Sequence, residues 1–171
     1  YGLDNWIYGA YSRAGGGKWR EEFRGKGSLL NFPENPQQDL PKIFPGTNFR
    51  FLPDEFKLEP SGGMSQFGLS FDAFWAQFTN WNNVHIRHVV INDNYLLNNP
   101  FLSLDNTMAD ISDHGNASPV YAITKNMLNL HESEMGHFTS ACGICKYTGN
   151  LFKGKCAKAS FVCEPVSNLV H

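Results

Sequence analysis

Short runs in which apolar and polar residues alternate recur along this chain, and alternation with a period of two predicts strands rather than helices. Glycine, proline and asparagine interrupt these runs, so the predicted strands are short. Residues 126–135 predict one brief helix, and residues 31–46 and 92–118 predict long connections. The predicted strands are 6–11, 19–23, 48–52, 56–59, 69–71, 74–78, 84–91, 120–123, 144–147, 159–163 and 167–170.

A turn of small residues that leads into a short strand occurs three times, at 1–9, 61–72 and 138–149. Such recurrence is typical of a β-propeller, in which small sheets are arranged around an axis. The predicted fold class is therefore all-β, a partial β-propeller with long connecting loops. We expect one partial domain over 1–171, with approximate blades at 3–30, 48–91 and 119–171.

The composition fits this prediction, because 14% of the residues are aromatic and only 18% are charged. The net charge of −2 gives no electrostatic reason to expect nucleic acid or an anionic membrane as a partner. No apolar run is long enough to span a bilayer. The chain begins on Tyr1 within a predicted strand and without a leader sequence, so we expect a fragment, or else a mature exported protein.

Several ordered motifs in the chain resemble one bacterial family, the propeller of the exported "membrane-bound dehydrogenase domain" proteins, also called PVC-type haem-binding proteins. Residues 140–149 are more distantly similar to the blade opening of soluble glucose and sorbosone quinoprotein dehydrogenases. The chain departs from the family pattern after Asp72, where Trp75 replaces a turn glycine, and between Ile123 and Gly136, where the segment is shorter. The motifs that carry the resemblance lie at 49–54, 58–60, 66–72, 85–90, 95–100, 136–144 and 161–171.

This resemblance implies a six-bladed propeller, of which the chain would supply about three blades, in the periplasm or otherwise outside the cytoplasm. It implies oxidation of a sugar or alcohol with a quinone-type acceptor, with PQQ and calcium as candidate cofactors. The remaining blades and a cytochrome-type domain with a haem-binding Cys-x-x-Cys-His motif would be partners in the full-length protein. The alternative is a non-catalytic propeller that binds carbohydrate or a protein and presents the haem domain.

The run from His85 to His88 contains the best candidate for catalysis. Alternate residues of a strand share a face, so His85 and Arg87 are expected side by side. The imidazole could accept a hydroxyl proton, and the guanidinium could stabilise the developing anion and lower the pKa of the histidine. The structural alternative is a blade strand whose polar residues face solvent or hydrogen-bond across the sheet.

Loop residues are the candidates for positioning a substrate or cofactor at the mouth of the propeller channel. Ser65 and Gln66 precede a predicted inner strand, and Asn82 lies in a polar turn. His137 and Thr139 occupy the equivalent loop of the last unit. The alternative for all five is turn formation alone.

The four cysteines, Cys142, Cys145, Cys156 and Cys163, include one Cys-x-x-Cys pair. A second such pair is missing, and Lys146 follows Cys145, so a regular zinc site and a c-type haem attachment are both disfavoured. Buried thiols, one or two disulfides, or a mixture remain open. Aspartates at 105, 110 and 113 lack the spacing of a calcium loop, so we predict a solvated loop and no metal site.

Overall fold

The computed structural model describes residues 1–11, 32–41, 43, 47–96, 99, 101, 102, 104, 106–112, 114–123 and 135–171. Ten strands and one short helix lie in these ranges: β1 (Ile7–Tyr11), β2 (Thr47–Leu52), β3 (Lys57–Ser61), β4 (Leu69–Phe71), β5 (Gln77–Trp81), β6 (Val84–Val89), α1 (Asp93–Leu96), β7 (Met108–Asp110), β8 (Cys142–Lys146), β9 (Ser160–Glu164) and β10 (Leu169–Val170). Three 3-10 helices are found at Pro53–Glu55, Gly154–Lys158 and Pro165–Ser167.

The strands form three antiparallel sheets, which confirms the all-β class. The first sheet has the order β1-β2-β3, the second β4-β5-β6-β7 and the third β10-β9-β8. Each sheet is a meander, because strands that follow one another in the chain are neighbours in the sheet. This connectivity needs only hairpin turns and the longer connections between them.

The structure divides the predicted unit at 48–91 between two sheets. β2 and β3 pair with β1 and not with the strands that follow them, whereas β4 to β6 belong to the second sheet. The fourth strand of that sheet is β7, inside the stretch expected to be a connection. It pairs with β6 over three residues, and so short a run carries no periodic signal.

Other boundaries differ for local reasons. The predicted strand 74–78 is mostly a turn, and the strand begins only at Gln77. The structure has no strand at 120–123, and the pairing there is limited to an isolated bridge that joins Pro119 to His137. The return strand 19–23 lies outside the described residues, as does the predicted helix apart from Met135.

Packing divides the chain into two compact units. Unit 1 comprises 1–65 and 91–107, and unit 2 comprises 66–90 and 108–171. Among the described residues, no helix has the length and apolar character needed to cross a membrane.

In unit 1, one buried amide organises the Gly-rich turn after β3. Asn48 is fully buried, and its Nδ2 donates to the carbonyl oxygen of Gly62 at 3.3 Å. Its Oδ1 accepts from the N–H of Ser65 at 3.1 Å and from the Ser65 hydroxyl at 2.8 Å. The turn therefore depends on a side chain of β2, in addition to its own glycines.

The hairpins β2–β3 and β9–β10 share one loop design. Each loop begins with a proline in the first turn of a 3-10 helix, Pro53 or Pro165. Each ends on a residue in the left-handed region, Phe56 at φ 52° or Asn168 at φ 49°, whose N–H donates to that proline's carbonyl oxygen at 3.1 Å. Proline presets the backbone for such a turn, so the two hairpins close with the same loop geometry.

The core of unit 2 joins the second and third sheets. Its buried apolar residues come from β6, β8, β9 and the segments that precede β8, and Phe78 and Leu169 pack against them. Burying such side chains supplies the main driving force for folding of this unit. The core residues are Ile86, Val120, Phe138, Ala141, Ile144 and Val162.

Candidate functional site

The imidazole of His85 lies in an aromatic cluster at one end of β6. It stacks on the ring of Phe138, with the ring centroids 4.4 Å apart and the planes 18° apart. His171 contacts both rings edge-on, at 5.5 Å from each. Because Phe138 is only 1% exposed, one face of the imidazole is covered by the core.

This environment lowers the pKa of His85 below its usual 6.5, first through burial and then through the charge of His171. The direction is the one predicted from the sequence, but the causes are burial and then His171, and not Arg87. The Nδ1 atom is buried and has no hydrogen-bond partner among the described residues. His85 is therefore mostly neutral at neutral pH.

Arg87 is engaged by a carboxylate on the neighbouring strand. Its Nε donates to Oδ1 of Asp110 at 2.7 Å, and the two residues are direct register partners on β6 and β7. This contact leaves the two terminal nitrogens of the guanidinium for other interactions. Asp110, one of the three aspartates considered for calcium, thus belongs to an ion pair, and residues 105 and 113 lie outside the described residues.

Gln66 and Asn82 both lie in unit 2, next to β5. The N–H of Gln66 donates to the carbonyl oxygen of Asn80 at 3.0 Å, and its Oε1 is buried without a partner in the described structure. Asn82 lies in the turn between β5 and β6, where its carbonyl oxygen accepts from the N–H of Ala141 at 2.9 Å. That bond attaches the segment before β8 to this turn.

His137 and Thr139 flank Phe138 in the segment that covers His85. Nδ1 of His137 lies 3.1 Å from the carbonyl oxygen of Met135. The N–H of Thr139 donates to Oε2 of Glu164 at 3.2 Å. The structure thus brings these two residues into the neighbourhood of His85 through their backbone positions.

Ser65 is the last residue of the first stretch of unit 1, directly before Gln66 in the chain. It belongs to unit 1, whereas Gln66, Asn82, His85, Arg87, His137 and Thr139 belong to unit 2. Its hydroxyl and its N–H both bond to Asn48, which is the turn-forming role that the sequence left open.

Sequence reasoning missed Glu164, which holds the segment before β8 in place. Its side chain is fully buried and accepts from the N–H groups of Thr139, Ser140 and Val166 at 3.1–3.2 Å. The available signal was local, since an acidic residue directly before Pro165 can cap a turn. The two bonds to residues 139 and 140 span more than twenty positions and have no sequence signature.

Sequence reasoning also missed two buried polar side chains of β5, those of Thr79 and Asn80. Thr79 and Asn80 are fully buried, and within the described residues neither the Thr79 hydroxyl nor either polar atom of the Asn80 amide has a partner. Gly68 makes room for that amide, because a Cβ there would lie 2.6 Å from Oδ1 of Asn80 and 2.8 Å from the backbone nitrogen of Ile144. Buried groups of this kind are usually completed by water or by a ligand.

The described residues contain no group of three or more His, Cys, Asp or Glu side chains that could hold a metal ion. Calcium coordination needs six to eight oxygen ligands, so the described residues do not fit it, and we derive no step through calcium. PQQ carries several carboxylates, and Arg87 is the one arginine among the described residues of unit 2. We therefore assign no residue to a cofactor.

Comparison with known proteins gives one family. Neither a curated protein nor a solved structure matches the chain. The model of a domain of unknown function, DUF7133, matches residues 1–171, which is the entire length of the sequence. The chain therefore belongs to the DUF7133 family.

Proposed function

We propose that this chain is part of an exported propeller dehydrogenase that oxidises a hydroxyl group of a sugar or alcohol and transfers the electrons to a quinone-type acceptor. The observation that carries the proposal is the state of His85. It is a neutral, half-buried imidazole held by Phe138 and His171. The propeller arrangement and the exported location are parts of the same proposal, and the family resemblance supports them.

In this reaction, His85 acts as the general base. A C–H and an O–H bond of the substrate break, the carbon becomes a carbonyl, and the acceptor takes up the hydride. Nε2 of His85 accepts the hydroxyl proton, and a neutral imidazole is the form that can do so. The ring stack with Phe138 fixes the direction of that nitrogen, which reduces the entropy lost when substrate and base are aligned.

Arg87 supplies the polar surroundings of the base. The terminal nitrogens of Arg87 can donate to the developing alkoxide while Nε stays bonded to Asp110. The unpartnered polar atoms of Gln66 and Asn80 are closed to solvent, so they are not assigned to the substrate.

The test compares two histidines of one strand in a protein that carries this domain. His85→Gln should lower dye-linked oxidation of a panel of sugars and alcohols, assayed with and without added PQQ, by about 10²–10⁴-fold, the usual contribution of a general base. His88→Gln is the matched control, because His88 stacks on Phe78 at 5.1 Å, outside the His85 cluster. Its activity should stay within a few-fold of the wild type.

Two outcomes would overturn the proposal. Equal activity of the wild type and His85→Gln would exclude His85 as the base. The absence of turnover with every substrate, together with saturable sugar binding that His85→Gln weakens, would show instead a non-catalytic propeller that binds carbohydrate.

A further inference from the structure

Two of the four cysteines face each other across the third sheet. Cys142 on β8 and Cys163 on β9 are direct register partners in an antiparallel pair. Residues so paired have Cα atoms about 4.5–5.5 Å apart and side chains on the same side of the sheet. A disulfide requires a Cα separation of about 4.4–6.8 Å. We propose that Cys142 and Cys163 form a reversible disulfide that links β8 to β9.

The backbone pairing of β9 defines the geometry of the cysteine pair. Val162 exchanges both of its backbone hydrogen bonds with His171, at 3.0 and 2.8 Å, so its polar groups point toward β10. The polar groups of the next residue, Cys163, consequently point toward β8, which makes Cys142 and Cys163 a hydrogen-bonded pair with Cα atoms about 5.5 Å apart. A disulfide also needs Cβ atoms about 3.5–4.5 Å apart, closer than in most such pairs, so closing the bond draws the two strands together beside the irregular register that follows Cys142.

The other two cysteines lack such a partner. Cys145 is opposite Phe161, and Cys156 lies in a 3-10 helix. Both are exposed, whereas Cys142 and Cys163 are half-buried. The described residues also hold no third ligand that would make a metal site of the pair.

The chemistry is thiol–disulfide exchange with a second disulfide, either a small molecule or a protein. One thiolate attacks the partner disulfide and releases a thiol, and the other thiolate then attacks the mixed disulfide and releases the second thiol. The chain loses two electrons and two protons, and the partner disulfide is reduced to two thiols. Burial, followed by the charges of Cys163 and Glu164, raises the pKa of Cys142, so exchange should accelerate with rising pH.

The bond would act on the elements that surround His85. β9 ends on Glu164, which holds the N–H groups of Thr139 and Ser140. Locking β8 to β9 therefore fixes the segment that positions Phe138 against His85. This inference stands apart from the proposed dehydrogenase function, because it depends only on strand register.

The test exposes the native 171-residue chain to oxidised glutathione, followed by alkylation and mass-spectrometric peptide mapping. The number of alkylated cysteines should fall from four to two, with Cys142 joined to Cys163. Dithiothreitol should restore all four. The oxidised chain should have a Tm higher by about 5–10 °C, since the bond closes a loop of about 20 residues.

The double variant Cys145→Ser/Cys156→Ser is the matched control and should show the same cross-link and the same Tm shift. Cys142→Ser should lose both. If Cys142→Ser does not fold, the wild-type peptide map decides alone. A cross-link between any other two cysteines, or only mixed disulfides with glutathione, would overturn the proposal.

Discussion

Burial against Phe138 and the charge of His171 lower the pKa of His85, and both neighbours come from distant parts of the chain. Phe138 precedes β8, and His171 follows β10. The sequence suggested His85 as a candidate base because it stands on an alternating strand two residues before Arg87. It did not identify these neighbours, because stacking across more than fifty positions leaves no local pattern.

The stability of unit 2 should fall as the pH drops below 6.5. The pKa of His85 is lowered in the folded state, so the unfolded chain binds its proton first. The stabilising contribution is complete above 6.5 and is lost as the pH falls through that value toward the folded pKa. The thermal midpoint measured from pH 5 to pH 8 should show this decline for the wild type.

His85→Phe retains a ring against Phe138 but cannot titrate, so it should flatten the decline. His88→Phe serves as the control for removal of a histidine from the same strand, and its curve should keep the wild-type shape. An unchanged decline in His85→Phe would assign the pH dependence to other groups.

At the scale of elements, the turn between β4 and β5 keeps its shape without the expected glycine. Trp75 adopts a left-handed backbone with φ 67°, which is unfavourable for a bulky side chain. Oδ1 of Asp72 accepts from the N–H groups of Phe74 and Ala76 at 2.9 Å. The ring of Trp75 stacks on Phe71 with centroids 4.0 Å apart and planes 4° apart. These contacts offset the backbone cost.

Trp75→Gly should change the free energy of unfolding by less than about 1 kcal/mol. Glycine relieves a backbone cost of about 1–2 kcal/mol, and the lost ring stack is worth about 0.5–1.5 kcal/mol. Trp75→Ala keeps the backbone cost and loses the stack, so it should be the less stable variant by about 1 kcal/mol or more. Denaturant unfolding of both variants measures the difference, and equal stabilities would contradict this account.

Strands were the most predictable elements, since most of the described ones coincide with an alternating run. Their partners were less predictable. The Pro53 and Pro165 loops each mark a hairpin. Whether that hairpin pairs with the preceding or with the following strand of the chain depends on long-range contacts. For this reason the sequence did not predict that β2 and β3 share a sheet with β1 and not with β4 to β6.

On the scale of the whole molecule, each compact unit buries apolar residues of its own. Leu58 is buried in unit 1, and the cluster around Phe138 belongs to unit 2. Compact regions of one chain commonly open as separate cooperative units.

Phe138→Ala should destabilise unit 2 by about 3–5 kcal/mol, because it removes a ring that is 1% exposed and leaves a cavity. Hydrogen exchange should accelerate in β5, β6, β8 and β9 and remain unchanged in β1 to β3. Leu58→Ala should give the reverse pattern. Equal acceleration in both units from either variant would show that the chain unfolds as a single unit.

The sequence by itself determined the all-β class, most of the strands and the position of His85 on one of them. These follow from alternation, turn residues and strand propensity, which act over a few positions. The tertiary structure decided which strands share a sheet and which residues pair across them, Arg87 with Asp110 and Cys142 with Cys163. It also decided that Glu164 is buried. Each of these depends on contacts between residues far apart in the chain, which the local pattern of apolar and polar positions does not record.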